Sequence, residues 1–323
     1  MGSESLQAYS WICYSFGGIV FGVLGGFMLD NLSPSFVFYV TAFLGLLITI
    51  NAFMTSPKLE EGAKHIIKLS LWERTKLNFR EIWSGFKIRP LFRLALFNLI
   101  FCGIVPKYIS YFYYYLTEEL LFSQMQYSML AVVAYVALLF VLYLYNLWFK
   151  ESESRTMLII SCFLSAYGSL NAALLIRGFT YGMDPTTFVF FSTTLTDTLL
   201  SAIHLMSGNV LFAKLIPANI EASMFSILTG IANFCNFFVA AHLGNFFNLF
   251  VGVTEENLEY LWVLELIAAG AALVPLFFVW LVPLRQEVFK VLQVNKFFEK
   301  YQRSPGGKLT DESDDADADD RVE

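Results

Sequence analysis

The chain of 323 residues is too apolar for a water-soluble protein, since 57% of its residues are hydrophobic, 17% are aromatic and only 15% are charged. Soluble domains average about 25% charged residues. The formal net charge of −6 derives largely from the C-terminal tail. The composition therefore excludes a soluble domain and indicates a protein that faces lipid.

Eight apolar segments are long enough to cross a bilayer, for which about 20 residues are needed. They predict an all-α polytopic membrane protein and run over residues 7–29, 34–55, 92–116, 126–148, 157–176, 186–213, 222–250 and 259–283. In the first segment Gly18, Gly22 and Gly26 are four residues apart, a spacing that lets helix backbones approach closely. We interpret them as a packing face, and a flexing gate is the alternative.

Residues 56–91 interrupt this pattern with dense charge and are predicted to form a cytoplasmic connection. Ser70 and Glu73 fit a capping box, a pair of reciprocal hydrogen bonds that begins many helices. The helix that follows carries large apolar residues on one face, namely Trp72, Phe79, Ile82 and Trp83. Such an amphipathic helix is typical of segments that lie on the membrane surface.

The end of the chain is strongly acidic. Residues 284–323 are predicted to form a cytoplasmic tail, which is disordered from about residue 304 because it has many charges and few apolar residues. A role in binding a partner is the alternative to a tail that is merely solvated.

Lysine and arginine residues are distributed unequally between the two ends of the predicted helices. If the chain crosses the membrane eight times, nineteen of the 21 lie on the same side. Loops rich in lysine and arginine mark the cytoplasmic side of a membrane protein. This distribution predicts an integral, multi-pass protein with both termini in the cytoplasm. Which membrane contains the protein does not follow from the sequence.

Ionisable groups inside the apolar segments are the first candidates for a functional site, because each costs about 2.5–3.5 kcal/mol at membrane depth. At 1.5 Å per residue, Lys107 lies roughly 14 Å and Asp197 roughly 17 Å from the same membrane surface. An ion pair between them is therefore feasible if their helices are neighbours. In one interpretation Lys107 attracts an anionic substrate, and Asp197 balances the charge of Lys107 or carries a proton. In the other, the two residues form a static ion pair that fixes the packing of their helices.

Further polar residues lie in or next to the apolar segments. His204 follows Asp197 by seven residues and shares its helix face. It extends a proton path or, as we favour, bonds to a neighbouring helix. Asn98 and Asn233 are ambiguous, because interhelical hydrogen bonds are the ordinary role of asparagine in membranes. Glu221 opens the seventh segment.

Tyrosines crowd the outer end of the third segment, at positions 108, 111, 113, 114 and 115. An interfacial aromatic belt explains most of them, and a platform that stacks a flat heterocyclic ligand is the alternative.

Glu265 lies about six residues inside the last segment, from where its side chain is expected to reach the interface.

The sequence shows no nucleotide-binding loop, no pair of nucleophile and base, and no nucleic-acid-binding patch. Four isolated cysteines are predicted to be reduced packing residues. We therefore predict a protein that is not an enzyme, with no metal site, no cofactor and no nucleic-acid partner. The partners that it does require are a lipid bilayer and a small-molecule substrate.

The run P-A-N-I-E-A-S-M-F-S-I-L-T-G-I-A-N-F at residues 217–234 resembles the folate–biopterin transporter family of the major facilitator superfamily. Members of that family carry a turn that reads approximately P-x-G-V-E-A-T, followed by a helix with a central Asn. Glu221 and Asn233 match this pattern, whereas Asn219 and Ser223 depart from it. The opening L-Q-A-Y-S-W and the later L-F-V-G-V-T are also similar to the family.

The resemblance implies a twelve-helix transporter made of two six-helix halves, in which this chain corresponds to helices 5–12. Residues 1–55 are then the last two helices of an incomplete N-terminal half, and residues 92–283 form the C-terminal half. The substrate site of such carriers lies between the halves. The chain is expected to hold half of that site, which self-association would complete if the truncation is real.

By this resemblance the chain is expected to transport folates or pteridines such as biopterin, coupled to protons. Asp197 and Glu221 are the candidates for coupling or gating, and Lys107 and Asn233 are the candidates for contact with the substrate. Two alternatives stay open. One is a truncated protein or gene fragment that does not transport, and the other is a major facilitator carrier for a different organic anion.

Overall fold

The computed structural model describes residues 3–54, 70–144, 152–216 and 221–293. Within these ranges every regular element is a helix, which confirms the predicted all-α fold. The tail from residue 304, the turn at residues 217–220 and the first part of the 56–91 connection lie outside the described residues.

Twelve α-helices follow one another in the described ranges: α1 (Ser3–Asn31), α2 (Pro34–Met54), α3 (Leu71–Phe86), α4 (Arg89–Ile104), α5 (Ile109–Tyr114), α6 (Gln124–Leu144), α7 (Ser154–Ile176), α8 (Pro185–Phe188), α9 (Leu195–Leu215), α10 (Glu221–Phe234), α11 (Ala240–Val251) and α12 (Leu261–Ala271). Three π-helical turns extend or join them, at Tyr115–Glu119, Val189–Thr194 and Cys235–Val239. A 3₁₀-helix at Val274–Leu281 continues the last span.

The described part of the chain contains seven helical stretches that are long and apolar enough to cross a membrane. Helices α4 and α5 together form an eighth, bent by 45°. All eight coincide with segments that hydropathy predicts, so the protein is an integral membrane protein with several spans. Its orientation, and the division of the chain at residues 55 and 92, stay predictions.

The glycines of α1 pack against α6, as their spacing predicts. A Cβ atom built on Gly22 would lie 2.8 Å from Val132 Cγ2, and one built on Gly26 would lie 2.8 Å from a side chain of α6. Gly18 faces the Tyr135 ring in the same way. Because no side chain fits at these three positions, α1 and α6 approach closely over much of their length.

Buried apolar residues form two main clusters near opposite ends of the spans. One includes Leu94 near the start of α4 and Leu215 at the end of α9. The other includes Leu116 just after α5 and Leu261 at the start of α12. In the predicted orientation the first cluster is cytoplasmic and the second is on the outer side. The functional site described below lies among the helices that these clusters hold together.

Helix α3 begins at the predicted capping box. Ser70 Oγ accepts a hydrogen bond from the Glu73 N–H at 3.3 Å, and Glu73 Oε2 accepts one from the Ser70 N–H at 3.0 Å. Ile82 packs against the first of these two clusters, the one that includes Leu94. The aromatic residues predicted for the apolar face are exposed, namely Trp72, Phe79 and Trp83. An exposed aromatic face is what a helix on a membrane surface requires, and its contact with lipid stays a prediction.

The packing of α1 on α6 can be tested by adding one methyl group. Gly22→Ala is expected to lower stability by about 1–3 kcal/mol, because the new Cβ overpacks the contact with Val132. Gly25→Ala is the matched control, since a Cβ there meets no atom within 4 Å and the gain in helix propensity is common to both variants. Thermal unfolding of the purified chain in detergent gives the difference, and equal midpoints for the two variants would contradict the packing face.

Candidate functional site

The third span is broken between α4 and α5, at residues 105–108. Pro106 has no backbone N–H and cannot continue an α-helix. The backbone N–H of Lys107 donates instead to the carbonyl of Ala240 in α11 at 3.1 Å. Gly244 makes room for this approach, because a Cβ built there would overlap the Lys107 carbonyl oxygen. The break is therefore fixed against the seventh span.

The broken segment faces a cavity of about 410 Å³ inside the bundle. Three charged side chains line it, Lys107 from the break, Asp197 from α9 and Glu265 from α12. Asp197 fits against α7 because residue 168 is glycine, where a Cβ would lie 2.9 Å from Asp197 Oδ1. The structure thus brings the predicted residues Lys107 and Asp197 to one cavity.

A second cavity of about 550 Å³ adjoins the first and is lined by α1, α6 and α9. Thr193, Asp197 and Ser201 line both cavities, so the two spaces meet along the sixth span. The aromatic rings of Phe112 and Tyr127 also face both. Each volume falls within the range of small-molecule sites, roughly 300–1,000 Å³.

The charges in the first cavity are close but not bonded. Within the described ranges no ion pair joins Lys107, Asp197 or Glu265, although Asp197 interacts electrostatically with both of the others. Lys107 Nζ lies 5.9 Å from the centroid of the Phe237 ring, within the range of a cation–π contact. The Lys107 ammonium group and the Asp197 carboxylate are therefore available to a ligand.

The burial of Glu265 corrects the prediction that its side chain reaches the membrane interface. Only 9% of Glu265 is accessible. The buried residues of α12 have the spacing of one helix face, Leu261, Leu264, Glu265 and Ala268. Glu265 therefore points into the bundle with the apolar stripe. Because every other residue of α12 is apolar or glycine, the sequence does not distinguish this face, and the packing of the helix identifies Glu265 as a candidate site residue.

Two buried hydroxyl groups at the cavity have no hydrogen-bond partner among the described residues, the Tyr108 OH and Thr193 Oγ1. By contrast, the neighbouring Thr198 hydroxyl donates to a carbonyl of its own span, at 2.8 Å. Most buried side-chain polar atoms in proteins are paired. The two unpaired hydroxyls therefore mark positions where a water molecule or a polar ligand atom fits.

Two of the five tyrosines at the outer end of the third span, Tyr108 and Tyr115, are buried inside the protein, and an interfacial belt stays a prediction for the others. The other three are half-buried. The Tyr115 OH donates to the Leu175 carbonyl at 3.2 Å. Tyr108 and Tyr113 line the first cavity, where Tyr113 meets the Tyr127 ring edge-on at a centroid distance of 4.9 Å.

His204 does not line these cavities and bonds to a neighbouring helix. Its Nε2–H donates to Asn98 Oδ1 at 3.0 Å, and its ring stacks on Phe101 with centroids 3.9 Å apart. The Cys102 thiol donates to the same Asn98 oxygen at 3.6 Å. This polar cluster joins α4 to α9 and places His204 and Asn98 outside the two cavities.

The remaining two predicted site residues are not brought to the cavities. Asn233 is exposed on α10 and does not line either space. Glu221 begins α10, but its side chain lies outside the described residues. Roles for both residues in substrate contact, coupling or gating stay predictions.

Two of the three π-helical turns contribute to the cavity walls, and the third lies beside the Lys107 side chain. Leu116, in the first turn, lines the second cavity, and Thr193, in the second, lines both. Phe237, in the third, lies beside the Lys107 ammonium group. Such turns interrupt α-helices frequently at functional sites. The hydropathy pattern contains no signal for them.

The chemistry of the cavity suits an organic molecule. In the described part of the chain no group of three or more His, Cys, Asp or Glu side chains is placed to hold a metal ion. The cavity offers a cation, carboxyl groups, free hydroxyls and aromatic rings, which fit a flat molecule with polar or anionic groups. Polytopic helices around such a cavity, with one span broken beside it, are organised as in secondary transporters.

The chain belongs to the BT1 family, whose sequence model matches residues 1–300. It is similar to the "Folate-biopterin transporter" of Synechocystis sp., with 28% identity over 283 residues that make up 86% of this chain and 55% of the relative. It is also similar to "Folate transporter 1" of Plasmodium falciparum, with 22% identity over 287 residues, 88% of this chain and 55% of that relative. These matches confirm the resemblance that the sequence motifs predict.

The chain spans about half the length of the curated relatives it matches. No solved structure matches it.

The fixed position of the break can be tested at Gly244. Gly244→Ala is expected to destabilise the chain by about 1–3 kcal/mol, because its Cβ must displace the Lys107 backbone. Gly230→Ala, in the same span, is the control because a Cβ there meets nothing within 4 Å. Thermal unfolding of both variants in detergent measures the effect, and a Gly244→Ala variant as stable as the control would contradict the contact.

The hydrogen bond between His204 and Asn98 can be measured by a double-mutant cycle. Asn98→Leu, His204→Leu and the double variant are expected to give a coupling energy of about 0.6 kcal/mol, the average for polar contacts between membrane helices. Unfolding of the four proteins in mixed micelles provides the free energies of unfolding. Strictly additive effects would show that the two side chains do not interact.

Proposed function

We propose that this chain forms the substrate pathway of a membrane carrier for folates or pteridines, and that transport is coupled to protons. Support comes from two sources. The curated relatives are named as folate and folate-biopterin transporters. The cavity at the broken span offers the groups that such a substrate requires.

The observation that carries the proposal is the position of Lys107, a cation beside aromatic rings in a cavity of the membrane-spanning region. Tyr108, Phe112 and Tyr113 line the same space. A pteridine ring is flat with polar edges, so it stacks on aromatic faces while its edge atoms form hydrogen bonds. An anionic substituent binds the Lys107 ammonium group, and a hydrogen bond to a charged group contributes about 1.5–3 kcal/mol.

Coupling to protons is proposed because two carboxyl groups share one cation in this cavity. Asp197 interacts with Lys107 across the space and is exposed to it. An anionic substrate that binds Lys107 neutralises its positive charge, which then no longer stabilises the two carboxylates. The cavity then binds a proton more tightly, so substrate and proton favour each other's binding.

Lys107→Ala is expected to reduce the uptake of labelled folate by vesicles that contain the full chain about tenfold or more, through loss of about 1.5–3 kcal/mol of binding. Uptake by the wild type is expected to saturate and to increase with an inward proton gradient. Lys87→Ala is the matched control, because Lys87 is exposed at the end of α3 and away from the cavity. Equal loss in both variants would contradict the role of Lys107.

Competition with unlabelled compounds separates this proposal from a second candidate function. The Lys107 ammonium group also suits a carrier for another organic anion. That candidate is favoured if unrelated organic anions inhibit binding and uptake while folate and biopterin do not. If the purified chain neither binds nor takes up folate or biopterin, the pteridine proposal is wrong. Failure with all the anions as well favours a protein that does not transport.

A further inference from the structure

We infer that Glu265 is the residue that takes up a proton when an anionic substrate binds, while Asp197 remains ionised; this inference rests on the proposed function. Glu265 is not one of the site residues that the sequence motifs suggest. It is assigned by its burial in α12 and by its position on the wall of a cavity that the unpaired Tyr108 hydroxyl also lines.

The titratable groups that line the cavity with Glu265 come from four elements, two of which, α5 and α6, contribute the phenols Tyr113 and Tyr127. The break between α4 and α5 contributes Lys107 and Tyr108, and α9 contributes Asp197. Helix α7 contributes only hydroxyl and apolar groups to the cavity wall. At the end of α7, Arg177 lies over the Trp262 ring at 5.0 Å. In α11, the neighbouring His242 is exposed and bonds to a carbonyl of its own span.

Glu265 and Asp197 differ in their access to water. Asp197 is exposed to the cavity, so water or a polar ligand solvates its carboxylate. Glu265 is buried, and no hydrogen-bond donor of the described residues reaches its carboxyl group. A buried charge without a partner is far more costly than a solvated one. When an anionic substrate makes the cavity more negative, the electrostatic free energy of the site rises. Protonation of Glu265 lowers that free energy more than protonation of Asp197 does.

The hydroxyl of Tyr108 is placed to accompany this change. Tyr108 is buried, its OH is unpaired, and it interacts electrostatically with Glu265. A phenol group both donates and accepts hydrogen bonds. It can therefore donate to an ionised carboxylate and accept from a protonated one, although no hydrogen bond joins it to Glu265 in the described structure.

The charges of the cavity predict how many protons are taken up with each substrate molecule. Lys107, Asp197 and Glu265 together sum to −1 when all are ionised. A substrate with one anionic group on Lys107 adds one negative charge, and a proton on Glu265 restores the sum. The proton comes from hydronium or a buffer acid on the side from which the substrate enters; its bond to that acid breaks as an O–H bond to the Glu265 carboxylate forms, and no other covalent bond changes. A substrate without charge requires no such proton.

Isothermal titration calorimetry of the full chain in lipid nanodiscs tests this inference directly. Folate, whose two carboxylates are ionised near neutral pH and of which one is proposed to bind Lys107, and biopterin, which is uncharged there, are titrated in buffers with different ionisation enthalpies. The dependence of the heat on the buffer gives the number of protons taken up per ligand. We expect the wild type to take up about one proton with folate and about none with biopterin, by the linkage of charge and proton binding.

Three variants assign the proton. Glu265→Gln is expected to bind folate and to lose the proton uptake, because the amide keeps the shape of the side chain and cannot be protonated. Asp197→Asn is expected to keep the uptake. Glu259→Gln is the matched control, since Glu259 lies six residues earlier, is exposed and is away from the cavity, and it is expected to behave as the wild type.

The outcomes separate this inference from the proposed function. Folate binding with the same proton uptake in the wild type and in Glu265→Gln overturns the inference alone. So does an uptake that only Asp197→Asn abolishes, because the proton then belongs to Asp197. Equal proton uptake with folate and with biopterin in the wild type overturns it without any variant. Absence of binding of both ligands to the wild type overturns the proposed function itself.

Discussion

A helix can be broken inside a membrane only if the backbone groups that the break releases find partners within the protein. In this chain the Lys107 N–H finds the Ala240 carbonyl, and Gly244 leaves the space that the contact needs. One hydrogen bond between two spans thereby fixes the backbone of Lys107, the only cation among the described residues that line the cavity. The electrostatics of the described site depend on this contact, because Asp197 and Glu265 are arranged around a charge whose position the backbone fixes.

Much of the fold could be predicted because it depends on local patterns. Hydropathy locates the spans, the spacing of Gly18, Gly22 and Gly26 identifies the face that packs on α6, and the capping box at Ser70 marks the start of α3. Each of these signals lies within one segment of the sequence. The physical reason is that a membrane helix satisfies its own backbone, so its existence and extent need no information from neighbouring helices.

The site could be predicted only in part, because it depends on which face of each helix meets protein and which meets lipid. In water an apolar face signals the core, but in a membrane both faces are apolar. The depths of Lys107 and Asp197 follow from counting residues, whereas the inward direction of Glu265 depends on the packing of α12 against α7. The tyrosines are ambiguous for the same reason, since rings typical of an interface also line a cavity.

Because of the π-helical turns, the number of residues in a span determines which side chains face the cavity, independently of what those residues are. A π turn closes with one residue more than an α-helical turn, and one residue corresponds to a rotation of about 100° around the helix axis. Removing a single residue from Val189–Thr194 would leave every side chain of α9 unchanged in identity and turn Asp197 towards a different neighbour. In this architecture, the selectivity of a cavity can therefore diverge through insertion or deletion of one residue in a span, without any substitution in the residues that line it.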